Sequence, residues 1–233
     1  MTLYTQWCHG VFSRKDHEEG FEEYLAMGRG MIIGEKGRPL SIPHVEWRIL
    51  GKAQINEVKE PLRAILMSTN FAFSMPGGAE MYHHLTRDQM MKHPEECTAV
   101  IDISGAFQNS TRASTYRSLD ALKQFRHTTK VSMGGTKCES KVQYWREDGS
   151  ICWITVYEGV RQGDPIAMAL FCLTIHPTWV RFKAANPTLR VKGFADDGSI
   201  QGPTALVAAS ITQLEEMFMD DCGLSLNLSK LHV

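Results

Sequence analysis

Three aspartates carry the chemistry this chain can offer. Asp102 stands near the end of the β-branched run TAVIDIS (98–104), and Asp196 and Asp197 are adjacent inside VKGFADDGSI (191–200). Two like charges on a short turn between apolar segments repel, and in a half-buried site one of them tends to take up a proton. A divalent cation reverses that balance, because the ion then becomes the largest local charge. The residues alone admit a second reading, since Asp197-Gly198 is also a hairpin-turn dipeptide. The choice depends on whether Asp102 is delivered to the same sheet edge from far upstream.

The elements that must deliver it can be read from periodicity. Val45, Ile49, Ala53, Val58, Leu62 and Ile65 recur at helical spacing and predict a helix from Val45 to Leu66, with a break or kink at Pro61. A short helix is expected over Ala79–Met91, a buried strand over 98–104 and a helix over Thr111–Phe125. The stretch 141–156 has two aromatic and β-branched runs around Glu147-Asp148-Gly149 and predicts a hairpin. Asp164 is placed as the N-cap, with Pro165 at the first helical position, of a long apolar helix over 163–182 that Pro177 kinks or ends. Strand–turn–strand over 191–200, a helix over Pro203–Asp220 and a strand over 223–233 complete the list. Residues 1–30 read as irregular. From residue 98 the order is β-α-β-β-α-β-β-α-β. This predicts an α+β fold whose antiparallel or mixed sheet has helices on one face, an order in which Asp102 could lie beside the hairpin of Asp196 and Asp197.

Four blocks, VIDISGAFQ (100–108), GVRQGDPIAMALF (159–171), FADD (194–197) and GLSLNLSK (223–230), stand in the order and spacing of the reverse transcriptase palm motifs A to D. The chain therefore resembles that family from about residue 36 to its last residue. KGRPLSI (36–42), the helix after it and MPGGAE (75–80) resemble the fingers segment of the non-LTR retrotransposon and group II intron branch, as do F-A-D-D and R-Q-G-D-P. Four motifs in register outweigh the hairpin-only reading of Asp196-Asp197.

The resemblance implies a right-hand polymerase fold: an irregular segment over 1–35, partial and mainly helical fingers over 36–97, and a ferredoxin-like palm over 98–233, with the thumb and other polyprotein domains absent from the chain. The implied activity is RNA-directed DNA polymerisation, in which a primer 3′-hydroxyl attacks the α-phosphate of a dNTP. Two Mg²⁺ ions, with Mn²⁺ as an alternative, would serve both the attacking and the departing oxygen. Mg²⁺ takes hard oxygen ligands. Asp102 and Asp196 would bridge the ions, Asp197 would support them and the Ile103 carbonyl would add a ligand. Phe107 matches the aromatic that closes under the sugar and selects deoxynucleotides. Arg38, helped by Lys36, matches the fingers arginine that grips the triphosphate, a contact suited to a guanidinium. Gln162 and Gly163 match residues at the templating pair, and Arg161 is placed to reach a phosphate. Lys230 matches the lysine that protonates the leaving pyrophosphate. Motif B departs from the family pattern, with Pro165-Ile166-Ala167-Met168 where Pro-Leu-Ser-Pro is common.

The implied partners are an RNA template, a DNA primer and dNTPs, with no membrane. No apolar run approaches the roughly 20 residues of a membrane span. Six cysteines show neither C-x-x-C nor zinc spacing, which fits reduced thiols and an intracellular place in cytoplasm or nucleus. His9, His83, His84 and His176 lack the ligand spacing of a metal site. The net charge of -1 shows no overall basic footprint. Two other readings stay open from sequence: a catalytically silent, co-opted nucleic-acid-binding domain, and an RNA-templated RNA polymerase, against which Phe107 and the R-Q-G-D-P block argue.

Overall fold

The computed structural model of the chain describes residues 10, 20–35, 37–73, 75–135 and 139–232. In chain order they form α1 (Phe21–Ala26), β1 (Gly28–Ile33), β2 (Arg38–Pro43), α2 (Val45–Leu66), α3 (Gly78–Lys92), β3 (Cys97–Asp102), α4 (Ala106–Asn109), α5 (Arg112–Ser118), α6 (Arg126–Ser132), β4 (Ser140–Trp145), β5 (Ile151–Val156), α7 (Ala167–Ala185), β6 (Arg190–Phe194), β7 (Asp197–Gly202) and α8 (Thr204–Cys222). The chain divides into two compact units. One comprises Met1–Val58 and Leu122–Ala167, the other Lys59–Ala121 and Met168–Val233.

The second unit is built on a three-stranded antiparallel sheet in the order β3-β7-β6. Side chains alternate between its faces. Ala99, Ile101, Val191 and Ile200 share one face and are all buried. Gly198 belongs to the same face, and a Cβ there would sit 2.9 Å from the Trp179 ring and 3.0 Å from the Ile101 side chain. Trp179 of α7 in turn meets Phe218 of α8 edge to face, with ring centroids 5.4 Å apart. Helices α7 and α8 thus cover this face with aromatic bulk, and glycine in β7 makes the room. The opposite face carries Asp102, Asp197, Ser199 and Lys192. Over its β6 end lies α3, with the Tyr82 and Phe194 rings 6.0 Å apart and the Lys192 ammonium donating to the side-chain Oε1 of Gln89.

The first unit holds a four-stranded sheet in the order β2-β1-β4-β5, antiparallel except where β1 and β4 run parallel. Its inner face carries buried Ser41, Ser140 and Val142. Gly30 in β1 lets the Tyr144 ring lie on the backbone, since a Cβ there would stand 2.3 Å from the ring.

Several expectations are corrected. The predicted strand order is present but distributed over two sheets: the 141–156 hairpin pairs with β1, because its Val142 register partner is Gly28. Residues 21–33, read as irregular, form α1 and β1. The helix expected over Thr111–Phe125 stops at Ser118 and continues as 3₁₀ turns over Leu119–Ala121 and Lys123–Phe125. Buried Leu119, Leu122 and Phe125 recur every three residues, a period that fits 3₁₀ turns as well as an α-helix. Neither Pro61 nor Pro177 interrupts its helix, and both residues are exposed. Residues 223–232 make no continuous strand. Their bridging to the strand that bears Asp102 is reduced to the isolated bridges Ile103↔Leu226 and Val100↔His232, separated by a 3₁₀ turn over Leu228–Lys230.

Candidate active site

The sequence-level question of whether Asp102 reaches the FADD turn is answered within the second unit. Asp102 closes β3 and stands directly opposite Asp197, the first residue of β7. Asp196 occupies the turn between β6 and β7, and its carbonyl accepts from the Ile103 amide at 3.0 Å, tying the end of β3 to the turn. Three aspartates thus stand at one sheet edge, without all their carboxylate oxygens lying within 4.8 Å of one another. The turn itself is Ala195-Asp196, whereas Asp197-Gly198 begins the strand. The glycine there serves the close approach of Trp179, so the hairpin-dipeptide reading named the wrong pair.

Ala195 has φ of 52°, the left-handed value that a two-residue hairpin normally takes from glycine. Asn70 holds it there. Its Oδ1 accepts from the Ala195 amide and its Nδ2 donates to the Ala195 carbonyl, both at 3.2 Å. The adjacent backbone is fixed as well, with Gly193 donating to Thr69 O and Phe71 donating to Gly193 O, each at 2.9 Å. Buried Cys172 lies beneath: burial and then the Asp196 charge push its thiol up to about 12. Asn70 is 1% exposed and was not foreseen. The segment S-T-N that follows α2 carries no recognisable signal.

The electrostatics follow from this geometry. Burial, then Asp196, then Asp102 raise the Asp197 carboxyl above its ordinary value, and Lys230 opposes them. Lys230 Nζ donates to both oxygens of Asp102 at 2.8 Å. Asn227 adds its amide to the Asp102 carbonyl at 2.8 Å and its Nδ2 to Oδ2 at 3.1 Å. Asn227 also escaped the sequence reading, although it lies inside GLSLNLSK, a block read for its leucines and its lysine. The three acids are a hard-oxygen donor set of the kind Mg²⁺ takes, and the ammonium on Asp102 marks where a cation is electrostatically welcome. Among the described residues, the donors that lie within 4.8 Å of one another are those of His93, Glu95 and Glu96. Glu96 there is engaged by Arg190.

Phe107, half-buried on α4, stacks on buried Phe171 of α7 with ring centroids 4.7 Å apart and 22° between planes. The remaining candidates belong to the first unit. Arg38 is exposed at the start of β2, the strand whose Ser41 amide donates to Gln162 O at 2.8 Å. Gly163 has φ of 97°, and a Cβ there would meet Ser41 O at 2.4 Å, so only glycine fits against β2. Arg161 faces inward: its guanidinium donates to Ala26 O, to Ser132 O at 3.1 Å and to Asp164 Oδ2 at 3.0 Å. Asp164 Oδ2 also accepts from Trp47 Nε1 and Ser132 Oγ, and its Oδ1 caps the Ile166 amide. With 5% of its side chain exposed, Arg161 is a buried clamp and not an open phosphate contact. Lys36 lies outside the described residues.

A three-stranded antiparallel sheet with helices behind it and carboxylates on two adjacent strands defines a polymerase-type palm. The chain matches the reverse transcriptase (RNA-dependent DNA polymerase) family over residues 33–233 and belongs to it. Solved structures of similar fold include telomerase from Candida albicans in complex with a TWJ fragment of telomeric RNA (TM-score 0.63, 11% identity, 99% of this chain and 46% of that one). Apo telomerase from Candida Tropicalis gives a TM-score of 0.65 at 10% identity, covering 99% of this chain and 48% of that one. The chain thus spans about half the length of these telomerases, and at such identities the likeness is one of fold alone. No curated protein matches the chain in sequence. No helix among the described residues is long and apolar enough to cross a membrane.

Proposed function

We propose that this chain is the polymerase domain of a retroelement reverse transcriptase, extending a DNA primer on an RNA template with dNTPs. The observation that carries the reading is the register Asp102↔Asp197 with Asp196 in the adjoining turn, in a chain of this family. The form of F-A-D-D and R-Q-G-D-P supports the non-LTR or group II intron branch. When bound, paired divalent cations, Mg²⁺ or Mn²⁺, would lower the charge on the attacking and departing oxygens. Asp102 and Asp196 would hold them, with the Ile103 carbonyl as an added ligand and Asp197 in support.

The other residues position substrate. Phe107, braced on Phe171, sets the floor of the sugar site and excludes a 2′-hydroxyl. Arg38, with Lys36, takes the triphosphate, and Gln162-Gly163, tied to the same strand, presents backbone to the nascent pair. Lys230 neutralises Asp102 and stands within reach of developing negative charge on the leaving group. The test is primer extension on poly(rA)/oligo(dT) with Mg²⁺ or Mn²⁺. Wild type is expected to extend and Asp196→Ala is not. A folded wild type that fails to extend leaves the silent nucleic-acid-binding reading.

A further inference from the structure

The outer face of the four-stranded sheet in the first unit carries a group that the polymerase chemistry does not use. Alternation along β4 and β5 puts Lys141, Trp145, Ile151 and Trp153 on one side, and the parallel register Arg29↔Gln143 adds Arg29 of β1 to it. Trp145 and Trp153 are 56% and 51% exposed, and Ile151 is 43% exposed. The two indoles are diagonal cross-strand neighbours, since Trp145 pairs with Ile151 and Trp153 with Gln143. Arg29 and Lys141 are exposed beside them. None of the β1, β2, β4 and β5 positions on this face is acidic; Glu147 and Asp148 lie in the turn beyond Trp145, and Glu35, Glu139 and Glu158 lie beyond the strand ends. The buried residues of the same strands, Ser41, Ser140 and Val142, point the other way. Large aromatics are seldom left open on a surface without a partner.

We infer that this face is a stacking platform for single-stranded nucleic acid, with Trp145 and Trp153 receiving bases and Arg29 and Lys141 receiving phosphates. Every base has a π-face, so two open indoles on a rigid sheet take successive unpaired bases without sequence preference. The three strands that carry these side chains, β1, β4 and β5, are two intervals or roughly 10 Å across, room for about two splayed nucleotides. A second copy of the chain fits less well, because a two-fold contact would set the same cations against each other. The inference stands on this sheet alone and does not depend on the polymerase reading.

The test is titration of the chain with fluorescein-labelled oligo(U) and oligo(dT) 12-mers, read by anisotropy and by quenching of indole fluorescence. Wild type should bind both. Trp145→Ala and Trp153→Ala should each weaken binding about tenfold, while Trp145→Phe and Trp153→Phe should recover most of it. Arg29→Gln and Lys141→Gln should each lower the slope of log K against log salt by about 0.7. A wild-type chain that binds both oligomers but fails to extend a primer would remove only the polymerase reading. The inference is overturned if the double alanine variant, shown by its melting curve to be folded, binds both oligomers as wild type does. It is also overturned if that variant changes only the oligomeric state, which would make the face a contact between copies, or if an abasic oligomer binds as tightly as oligo(U).

Discussion

Both carboxylate oxygens of Asp102 accept from one donor, the Lys230 ammonium, at 2.8 Å. The lysine occupies the position a cation would contest, on the acid whose partners across the sheet already repel it. Lys230→Gln is therefore expected to tighten Mn²⁺ binding while slowing extension. The pair is half exposed on the lysine side, so the gain should match an exposed ion pair, about 1.5- to 5-fold in affinity. Isothermal titration with Mn²⁺ measures it, and an affinity unchanged or weakened by the substitution shows that lysine and cation do not compete.

The FADD turn depends on a residue outside every motif. Asn70→Ala removes an acceptor from the Ala195 and Ala72 amides and a donor from the Ala195 carbonyl, all within 3.2 Å. Buried groups left without partners cost about 1–3 kcal/mol each, so a loss of roughly 2–4 kcal/mol in urea unfolding is expected, with extension falling further than folding explains. Adding Ala195→Gly should return part of the stability, because glycine takes φ of 52° without strain. If glycine makes the Asn70→Ala protein worse, the bracket on Ala195 is not what the asparagine supplies.

What sequence could and could not reveal divides along physical lines. The long helix Val45–Leu66 and the strand bearing Asp102 were legible because their periodicity is local. The meeting of Asp102 with Asp196 and Asp197 was legible only through four motifs in register, since no local rule pairs strands so distant. The sheet to which β4 and β5 belong was not legible: parallel pairing with β1 is fixed by small residues, Gly28 and Gly30, that give no periodic signal. Asn70 was missed for the same reason, its role being a side-chain contact across 125 residues. Arg161 was misread as a phosphate contact because a charged residue in a loop motif looks exposed until its buried acceptors are known.

Phe107 is held flat against Phe171. Phe107→Val removes the ring proposed to meet the sugar and leaves a β-branched side chain on α4. Incorporation of ribonucleotides relative to deoxynucleotides should rise by at least tenfold, a change of about 1.4 kcal/mol in discrimination. The lost stack should cost about 0.5–1.5 kcal/mol of stability. Competitive extension with paired rNTP and dNTP reads the first effect, and an unchanged ratio assigns Phe107 to the core alone.

Lys192 provides a pH signature. Burial, then Arg190, lower its ammonium from 10.5 to about 8, with Asp88 opposing. Between those two values the folded chain holds fewer protons than the unfolded one, so stability rises as pH climbs from about 8 to 10.5. Below 8 the lysine is charged in both states and its burial cost is fully present. Lys192→Gln should stabilise the chain at pH 7 by of the order of 1 kcal/mol after solvent screening, and should flatten the alkaline rise. Urea midpoints at pH 7, 8, 9 and 10 for both proteins show it; parallel curves would exclude Lys192 as the source.

Arg161 separates a structural from a substrate role most sharply. Its guanidinium binds two backbone carbonyls, Ala26 O and Ser132 O, together with a carboxylate already shared by Trp47 and Ser132. Arg161→Met strands a buried charge on Asp164 and should cost about 3–5 kcal/mol. Arg161→Lys keeps the charge but cannot span three acceptors with a planar fork, so it too should lose stability. A phosphate contact would behave differently, raising KM for dNTP in the lysine variant while leaving the urea midpoint in place. Denaturation midpoints and dNTP titrations of the same two variants therefore decide between them, and a stable lysine variant with a raised KM would move Arg161 back to the substrate.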